Sequence, residues 1–268
     1  MPALILIRGG GDLASGVALR LHRAGLNVAI TELPQPLAVR RTVSFANAIY
    51  ENEITVEDIT ARLINDPTDT LKILNVLAKQ QIPALIDPGC ITAKTLNPIA
   101  IIDARLMKHP PEALSHRALL YLGLGPGFTA PLNCHAVIET QRGHTLGRVI
   151  WDGSTLSDTA KPEGDPRRVL RAPQDGVIVN RKQIGDHCEP EELIAEINGA
   201  LIKSPFKGVV RGLIHPGLTI TRGMKIGDID PRDDAHLCYL VSEKALAIGG
   251  GVMEALLARP EVRSKLWT

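Results

Sequence analysis

The chain opens on an apolar run of strand length, Ala3-Leu4-Ile5-Leu6-Ile7, that meets a glycine cluster, Arg8-Gly9-Gly10-Gly11-Asp12-Leu13-Ala14-Ser15-Gly16. Val17-Ala18-Leu19-Arg20-Leu21-His22 then continues with helical spacing. Gly9, Gly11 and Ala14 fit the G-x-G-x-x-G/A spacing of a dinucleotide loop. Glycines allow a tight turn and close backbone approach, and the free N–H groups of a helix start attract a pyrophosphate. Leu26-Asn27-Val28-Ala29-Ile30-Thr31-Glu32 reads as a second strand ending in an acid, roughly 20 residues beyond the loop, where a ribose-binding carboxylate is expected. A strand, a glycine loop, a helix and a second strand in this order restrict the start of the chain to a Rossmann-like parallel-sheet domain. A tight strand-to-helix turn that binds nothing would need the same glycines.

Length and composition narrow the rest. A chain of 268 residues holds one large domain or two ordinary ones. A net charge of +1 and 3% aromatics give no electrostatic or stacking case for nucleic acid. No apolar run approaches the roughly 20 residues of a bilayer helix, and the first apolar run leads into the glycine loop, unlike a removable leader. Cys90, Cys134, Cys188 and Cys238 are widely spaced with no C-x-x-C pair, as expected of reduced thiols in a cytoplasmic protein. No metal site is expected.

After Glu32, Pro34 and Pro36 stop the strand, and Arg40 and Arg41 follow as cations near ligand phosphates or as part of a solvated turn. Ser44–Tyr50 reads as a short helix capped by Ser44, and 54–64 suits strand or helix equally. Asp66-Pro67-Thr68-Asp69 breaks the chain and can cap a helix over 70–80 with Leu71, Leu74, Leu77 and Ala78 on its apolar face. Residues 82–87, 99–103 and 118–123 read as strands buried on both faces of a parallel sheet. Ligands of such sheets gather at the strands' carboxyl ends. That edge would collect Glu32, Asp87, Asp103 and Gly123-Leu124-Gly125-Pro126-Gly127-Phe128, with Gly125 and Gly127 as a second place of close backbone approach. Asp87 and Asp103 are acid/base candidates, metal ligands or turn caps, the last being favoured. Cys90 is a nucleophile or sulfur or selenium handler, or an inert thiol, and the absence of a paired histidine favours the last.

From residue 133 the pattern changes to half-buried strands, 134–140 and 146–151. His135 and Glu139 share a strand face but stand about 13 Å apart, too far for two ligands of one metal without a bend; His144 follows in the turn between those strands. Further on the sequence repeats itself. Pro173, Gly176 and Gly185 are matched at one constant offset by Pro205, Gly208 and Gly217, and Asn198-Gly199 between the copies is a strong hairpin signal. Two such copies joined by a hairpin resemble the biotinyl/lipoyl barrel-sandwich hybrid fold. In its carriers the hairpin tip bears a modified lysine; here the tip is Asn198-Gly199-Ala200, with Lys203 further along, so a carrier role is not expected. The expected architecture is a Rossmann-like nucleotide-binding domain over 1–132, rejoined by 236–268, and a β-rich domain over 133–235 whose duplicated module spans about 165–232. Residues 237–241 read as a strand, Ser242 as a helix cap, and Gly249-Gly250-Gly251 as a close helix contact or a second phosphate loop.

Taken together, 7–16, 39–45, 123–128, 137–144, 227–232 and 249–255 resemble the accessory proteins of selenium-dependent molybdenum hydroxylase systems, the YqeB-type family. The family's usual glycine after Phe128-Thr129-Ala130 is here Pro131. The resemblance implies a role in maturing molybdenum hydroxylases, with an apoenzyme or a cofactor-handling protein as partner, and names no catalytic residues. It leaves the enzymatic question open. The expected ligand-binding residues are Gly9, Gly10, Gly11, Asp12, Leu13, Ala14, Glu32, Gly125 and Gly127. The ligand is a small phosphate-bearing molecule: NAD, a cytidine nucleotide or a molybdopterin dinucleotide. An NAD-dependent oxidoreductase and a docking scaffold are the competing expectations, and homo-oligomerisation is left open.

Overall fold

The computed structural model describes residues 3–112, 116, 118–157 and 164–267. The chain divides into two compact units, one of Met1–Pro36, Ser44–Asp158 and Val241–Thr268, the other of Leu37–Val43 and Thr159–Leu240. It is a mixed α/β protein with a large, mostly parallel sheet. Among the described residues no helix is long and apolar enough to cross a membrane.

The first unit begins with β1 (Leu4–Arg8), α1 (Asp12–Arg23) and β2 (Asn27–Glu32). A 3₁₀ turn, Phe45–Asn47, leads into α2 (Ala48–Glu51), and the hairpin β3 (Glu53–Val56) and β4 (Ile59–Ile64) resolves the ambiguous stretch as strand. Then come α3 (Thr70–Ala78), β5 (Ile82–Ile86), α4 (Ala93–Leu96), β6 (Ala100–Asp103), β7 (Leu120–Leu124), β8 (Thr129–Ala130), β9 (Ala136–Ile138), β10 (Val149–Ile150) and β11 (Gly153–Ser154). The chain returns to this unit with α5 (Glu243–Ala258) and α6 (Pro260–Arg263).

Nine strands form one sheet in the order β10-β9-β7-β6-β1-β2-β5-β4-β3. The seven from β9 to β4 run parallel, and β10 and β3 close the edges antiparallel. Every residue of β1 and β6 is buried, as a strand covered on both faces requires. The sheet continues past residue 132, so the expected domain boundary there lies inside it. β9 is buried along its whole length rather than on alternate residues. Val137 packs with Phe128, Ala130 and Cys134, while Ile138 lies under α5, where a Cβ on Gly251 would stand 3.0 Å from its Cγ2.

Helices α1 and α5 meet at small residues. A Cβ on Gly16 would lie 2.5 Å from Ala245 Cβ, and one on Gly249 would lie 2.8 Å from Arg20 Cγ. Each mid-helix glycine costs about 1 kcal/mol relative to alanine; here two of them let the helix axes approach. Gly249, Gly250 and Gly251 therefore sit inside α5, capped by Ser242 Oγ accepting from Ala245 N–H, and form no phosphate loop. In α3, capped by Asp69, the buried side chains are Ile73, Val76 and Leu77, whereas Leu71 is 76% exposed. The apolar face is thus rotated from the expected one. Ser44 precedes the Phe45 turn but its side chain does not cap it.

The second unit contains β12 (Val169–Arg171), β13 (Gly176–Asn180), β14 (His187–Cys188), β15 (Leu193–Ile197), β16 (Ala200–Lys203), β17 (Gly208–Leu213), β18 (Thr219–Ile220) and β19 (Lys225–Asp230). They form two antiparallel sheets, β12-β19-β17-β14 and β16-β15-β13-β18. The sequence repeat is a structural one: β12 to β15 are the first copy and β16 to β19 the second. Each sheet takes two strands from each copy, and exchanging the copies turns one sheet order into the other. Asn198 (φ 46°) and Gly199 (φ 82°) form the tight turn between β15 and β16, both in the left-handed region as a two-residue hairpin demands.

Residues 37–43 join this unit because Leu213 N–H donates to Val39 O, and a Cβ on Gly212 would lie 2.8 Å from Val39 Cγ1. Arg40 donates to Leu237 O and Leu240 O, and Arg41 Nε to Leu213 O. Both cations are thus held by backbone carbonyls of their own unit, neither a solvated turn nor a phosphate clamp. The expected strand over 237–241 is instead a 3₁₀ turn, Ala235–Cys238, because Asp234 accepts from His236 N–H and starts it.

Candidate functional site

The three glycines between β1 and α1 are glycines for three different reasons. Gly9 takes φ 89°, donates to Thr31 O at 2.8 Å, and lies where a Cβ would be 3.4 Å from Arg105 Cγ. Gly10 is pressed against the Phe45 turn: Ala46 N–H donates to Gly10 O at 2.8 Å, and a Cβ would stand 2.8 Å from Ala46 N. Ser15 fastens the same contact, its hydroxyl donating to Gly10 O and accepting from Phe45 N–H. Gly11, the residue before α1, has φ −64° and ψ −179°, and a Cβ there would meet no atom within 4 Å. Asp12 lies in the first turn of α1, and Leu13 and Ala14 point into the core.

Glu32 joins this loop directly. Its carboxylate accepts from Gly10 N–H and from Leu33 N–H, each at 2.7 Å. Burial pushes its carboxyl above the usual range, and those two backbone donors oppose the rise without cancelling it. Gly125 and Gly127 lie beyond β7, two strands from β1 and so roughly 10 Å away. Their positive φ values, 75° and 94°, go with tight protein contacts: a Cβ would stand 2.7 Å from Thr140 Oγ1 and from the carbonyls of Met107 and His109, respectively. The structure brings Gly9, Gly10, Gly11 and Glu32 together and leaves Gly125 and Gly127 apart.

Strand order reverses beside β1: β2 and β5 lie on one side, β6, β7 and β9 on the other. Open α/β sheets bind ligands in the crevice at such a point. At its floor stands a charged network. Arg8 and Asp103 face each other in register at the ends of β1 and β6, joined at 3.0 Å with side chains 1% and 0% exposed. Arg105 donates to both Asp103 oxygens at 2.9 and 2.7 Å, and Tyr121 hydroxyl donates to Asp103 at 2.9 Å. Arg8 and Arg105 both reach Glu112, at 2.6 and 2.9 Å. Partial burial pushes the Glu112 carboxyl up, but hydrogen bonds from the two guanidiniums outweigh it and hold it at about 2. Burial, then the Asp103 carboxylate, push the Tyr121 phenol well above its ordinary value.

A cavity of ≈ 470 Å³ adjoins this network, lined among others by Glu112, His116, Tyr121, Cys134 and His135. Asp103 is thus an ion-pair anchor that also accepts from Arg105 N–H, two residues on, at 3.4 Å. Asp87 is a cap: its carboxylate accepts from Ile91 and Thr92 N–H and from the Thr92 hydroxyl. Glu139 accepts from the N–H groups of Thr140, Gln141 and Leu156, and His135 Nδ1 accepts from Tyr121 N–H. Among the described residues no cluster of three His, Cys, Asp or Glu is gathered for a metal.

Cys90 is 1% exposed, and burial pushes its thiol up to about 11. All four cysteines are free and buried. The native protein is therefore expected to consume no aromatic disulfide reagent at neutral pH, and four equivalents after denaturation. Rapid labelling of Cys90 in the native state would contradict this.

Arg8, Arg105, Glu112 and Tyr121 are the functional candidates that sequence reading passed over. One signal was present. An arginine ending a strand of wholly apolar residues is buried only if paired.

No protein-family model matches the chain. Over 258 residues, 95% of the chain, it is 44% identical to the uncharacterized protein YqeB of Escherichia coli (strain K12), and it spans 47% of that protein's length. Two solved structures align with 85% of the chain at 11% identity: an aspartoacylase family protein from Mesorhizobium loti MAFF303099 and the apo form of the ectoine utilization protein EutE (DoeB) from Ruegeria pomeroyi. The alignments cover 84% and 86% of those chains, with a TM-score of 0.26 for each. Likenesses of that size carry no argument.

Proposed function

We propose that this YqeB-related chain is an accessory protein in the maturation of selenium-dependent molybdenum hydroxylases, and that it holds a nucleotide, or the dinucleotide form of the molybdenum cofactor, at the loop before α1. Gly11 carries the reading. Its backbone is one any residue adopts, and no protein atom within 4 Å claims the space of its side chain. The fold does not require glycine there. A pyrophosphate approaching the backbone at the start of α1 would.

The proposed ligand fits the residues present. The N-terminus of α1 and the open face of Gly11 would take a pyrophosphate, and Glu32 at the end of β2 would take a ribose hydroxyl by releasing one backbone donor. When bound, a molybdenum cofactor would supply the metal centre destined for the hydroxylase. This chain's residues would hold it and keep its diphosphate in place. In the second unit, the interlocked copies support a barrel-sandwich hybrid of non-carrier type. The Asn198 tip is tied down by its own unit, with Gln174 Nε2 donating to Ile197 O and Asn198 Nδ2 to Asp175 O. That module would serve as a docking surface for the hydroxylase or for a cofactor-handling protein.

Calorimetry of wild type and Gly11→Val with CTP, NAD and extracted cofactor tests the loop. Gly11→Val is expected to stay folded, losing no more than about 1 kcal/mol because the site is open but valine is a poorer helix cap than glycine, and to weaken binding roughly tenfold or more. Binding by both proteins alike would remove the loop from the function. Preference for NAD, with turnover of a small substrate, would favour an NAD-dependent oxidoreductase.

A further inference from the structure

Arg8, Arg105, Asp103 and Glu112 differ in how firmly they are held. The side chain of Arg8 is 1% exposed, that of Asp103 0%, that of Arg105 24% and that of Glu112 56%. Asp103 is fixed by both arginines and by the Tyr121 hydroxyl. Glu112 lies outside any helix or strand, in the connection from β6 to β7, directly after Pro110-Pro111. It is the most exposed member of the cluster, with its side chain already in contact with solvent.

We propose that Arg8 and Arg105 form a binding site for a monoanionic oxyanion, a phosphodiester or a carboxylate of a small ligand, and that Glu112 is a built-in occupant which the ligand displaces. Charge balance sets the class. Two guanidiniums and Asp103 leave one positive charge, which Glu112 neutralises. A group with one negative charge replaces it without stranding a buried charge. The donors suit an oxyanion as well: Arg8 presents one guanidinium nitrogen to Glu112 Oε1 at 2.6 Å, and Arg105 presents two to its two oxygens, at 2.9 and 3.4 Å. Forked donors of this kind recognise carboxylate and phosphoryl groups.

Two further observations point to a ligand. Glu112 and Tyr121 both line the ≈ 470 Å³ cavity, so the departure of Glu112 opens the arginines towards it. In the same lining, His116 Nε2 is buried without a hydrogen-bond partner among the described residues, and a polar ligand would supply one. The stem of Arg105 also lies against Gly9. The identity of a ligand shared with the loop before α1, though not the arginine site itself, rests on the loop reading above.

The test is titration calorimetry of wild type, Glu112→Gln and Glu112→Ala, each with and without Arg105→Met, using dimethyl phosphate and acetate as singly charged probes. Thermal melts verify that every variant is folded, and the exposure of Glu112 makes its replacement compatible with the fold. Both Glu112 variants are expected to bind one probe at least tenfold more tightly than wild type, and to lose the gain with Arg105→Met. The probe that gains tells phosphoryl from carboxylate. No gain with either probe, or a gain that survives Arg105→Met, overturns the proposal. Repeating the series with Gly11→Val separates the two readings. A gain retained there, with nucleotide binding absent from wild type, would end the loop reading and keep the arginine site.

Discussion

Asp103→Ala is expected to destabilise the first unit by about 3–5 kcal/mol, the usual cost of removing one partner from a buried ion pair. For a unit of this size that lowers the melting temperature by roughly 6–20 °C. The reason lies in what remains. Arg8, 1% exposed at the end of β1, would keep only Glu112, and Tyr121 would lose its acceptor. Adding Arg8→Met to Asp103→Ala should therefore recover part of the loss, because a buried cation without its carboxylate is worse than an apolar side chain in its place. Calorimetric or circular-dichroism melts of the three proteins decide the matter. A melting temperature for Asp103→Ala within 2 °C of wild type would show that the network is solvated and weak.

Neighbouring glycines of α5 are expected to respond to alanine with opposite signs. A Cβ on Gly251 would stand 2.0 Å from Gly147 O, a backbone atom, and 3.0 Å from Ile138 Cγ2. The turn carrying Gly147 is itself pinned, since Gly147 N–H donates to Glu139 O at 2.9 Å. Something must shift, and overpacking of this kind costs about 1–3 kcal/mol even after the gain in helix propensity. Gly250, one residue earlier, has nothing within 4 Å and is exposed. There alanine only removes freedom from the unfolded chain and adds helix propensity, a gain of about 0.4–1 kcal/mol. Gly251→Ala should melt roughly 2–12 °C below wild type and Gly250→Ala roughly 1–4 °C above it. Equal melting temperatures for the two variants would mean that α5 does not pack as described.

What could be read from the sequence is what local chemistry decides. β1, the glycine loop, α1 and β2 announce themselves because apolar strand residues, glycines and helical periodicity stand side by side within 4–32. The Asn198-Gly199 turn and the caps Asp69 and Ser242 were legible for the same reason. The α3 face was not: in a helix of nine residues, most of them apolar, spacing fixes the phase poorly, and burial of Ile73 and Val76 is decided by what packs there. Nor was the charged network. Arg8 finds its carboxylates 95 and 104 residues away, and only the pairing of β1 with β6 brings them together. Arg40 and Arg41 read equally as phosphate ligands or a solvated turn, because their carbonyl partners come from 213, 237 and 240. Gly11 fits the dinucleotide spacing along with Gly9, yet its distinction from Gly9 and Gly10 appears only once their neighbours are known.

The interlocked sheets of the second unit carry a consequence for its assembly. Since each sheet draws two strands from each copy, half of the module contains no complete sheet and no complete core. β13 pairs with β15 of its own copy and with β18 of the other; β17 pairs with β19 of its own copy and with β14 of the other. The two copies must close together or not at all, which makes this unit a single cooperative step in folding. A lone copy could satisfy the same pairings only by exchanging strands with a second molecule. What the turn at Asn198-Gly199 does, then, is convert that exchange between molecules into one within a chain, where the partner is always at hand.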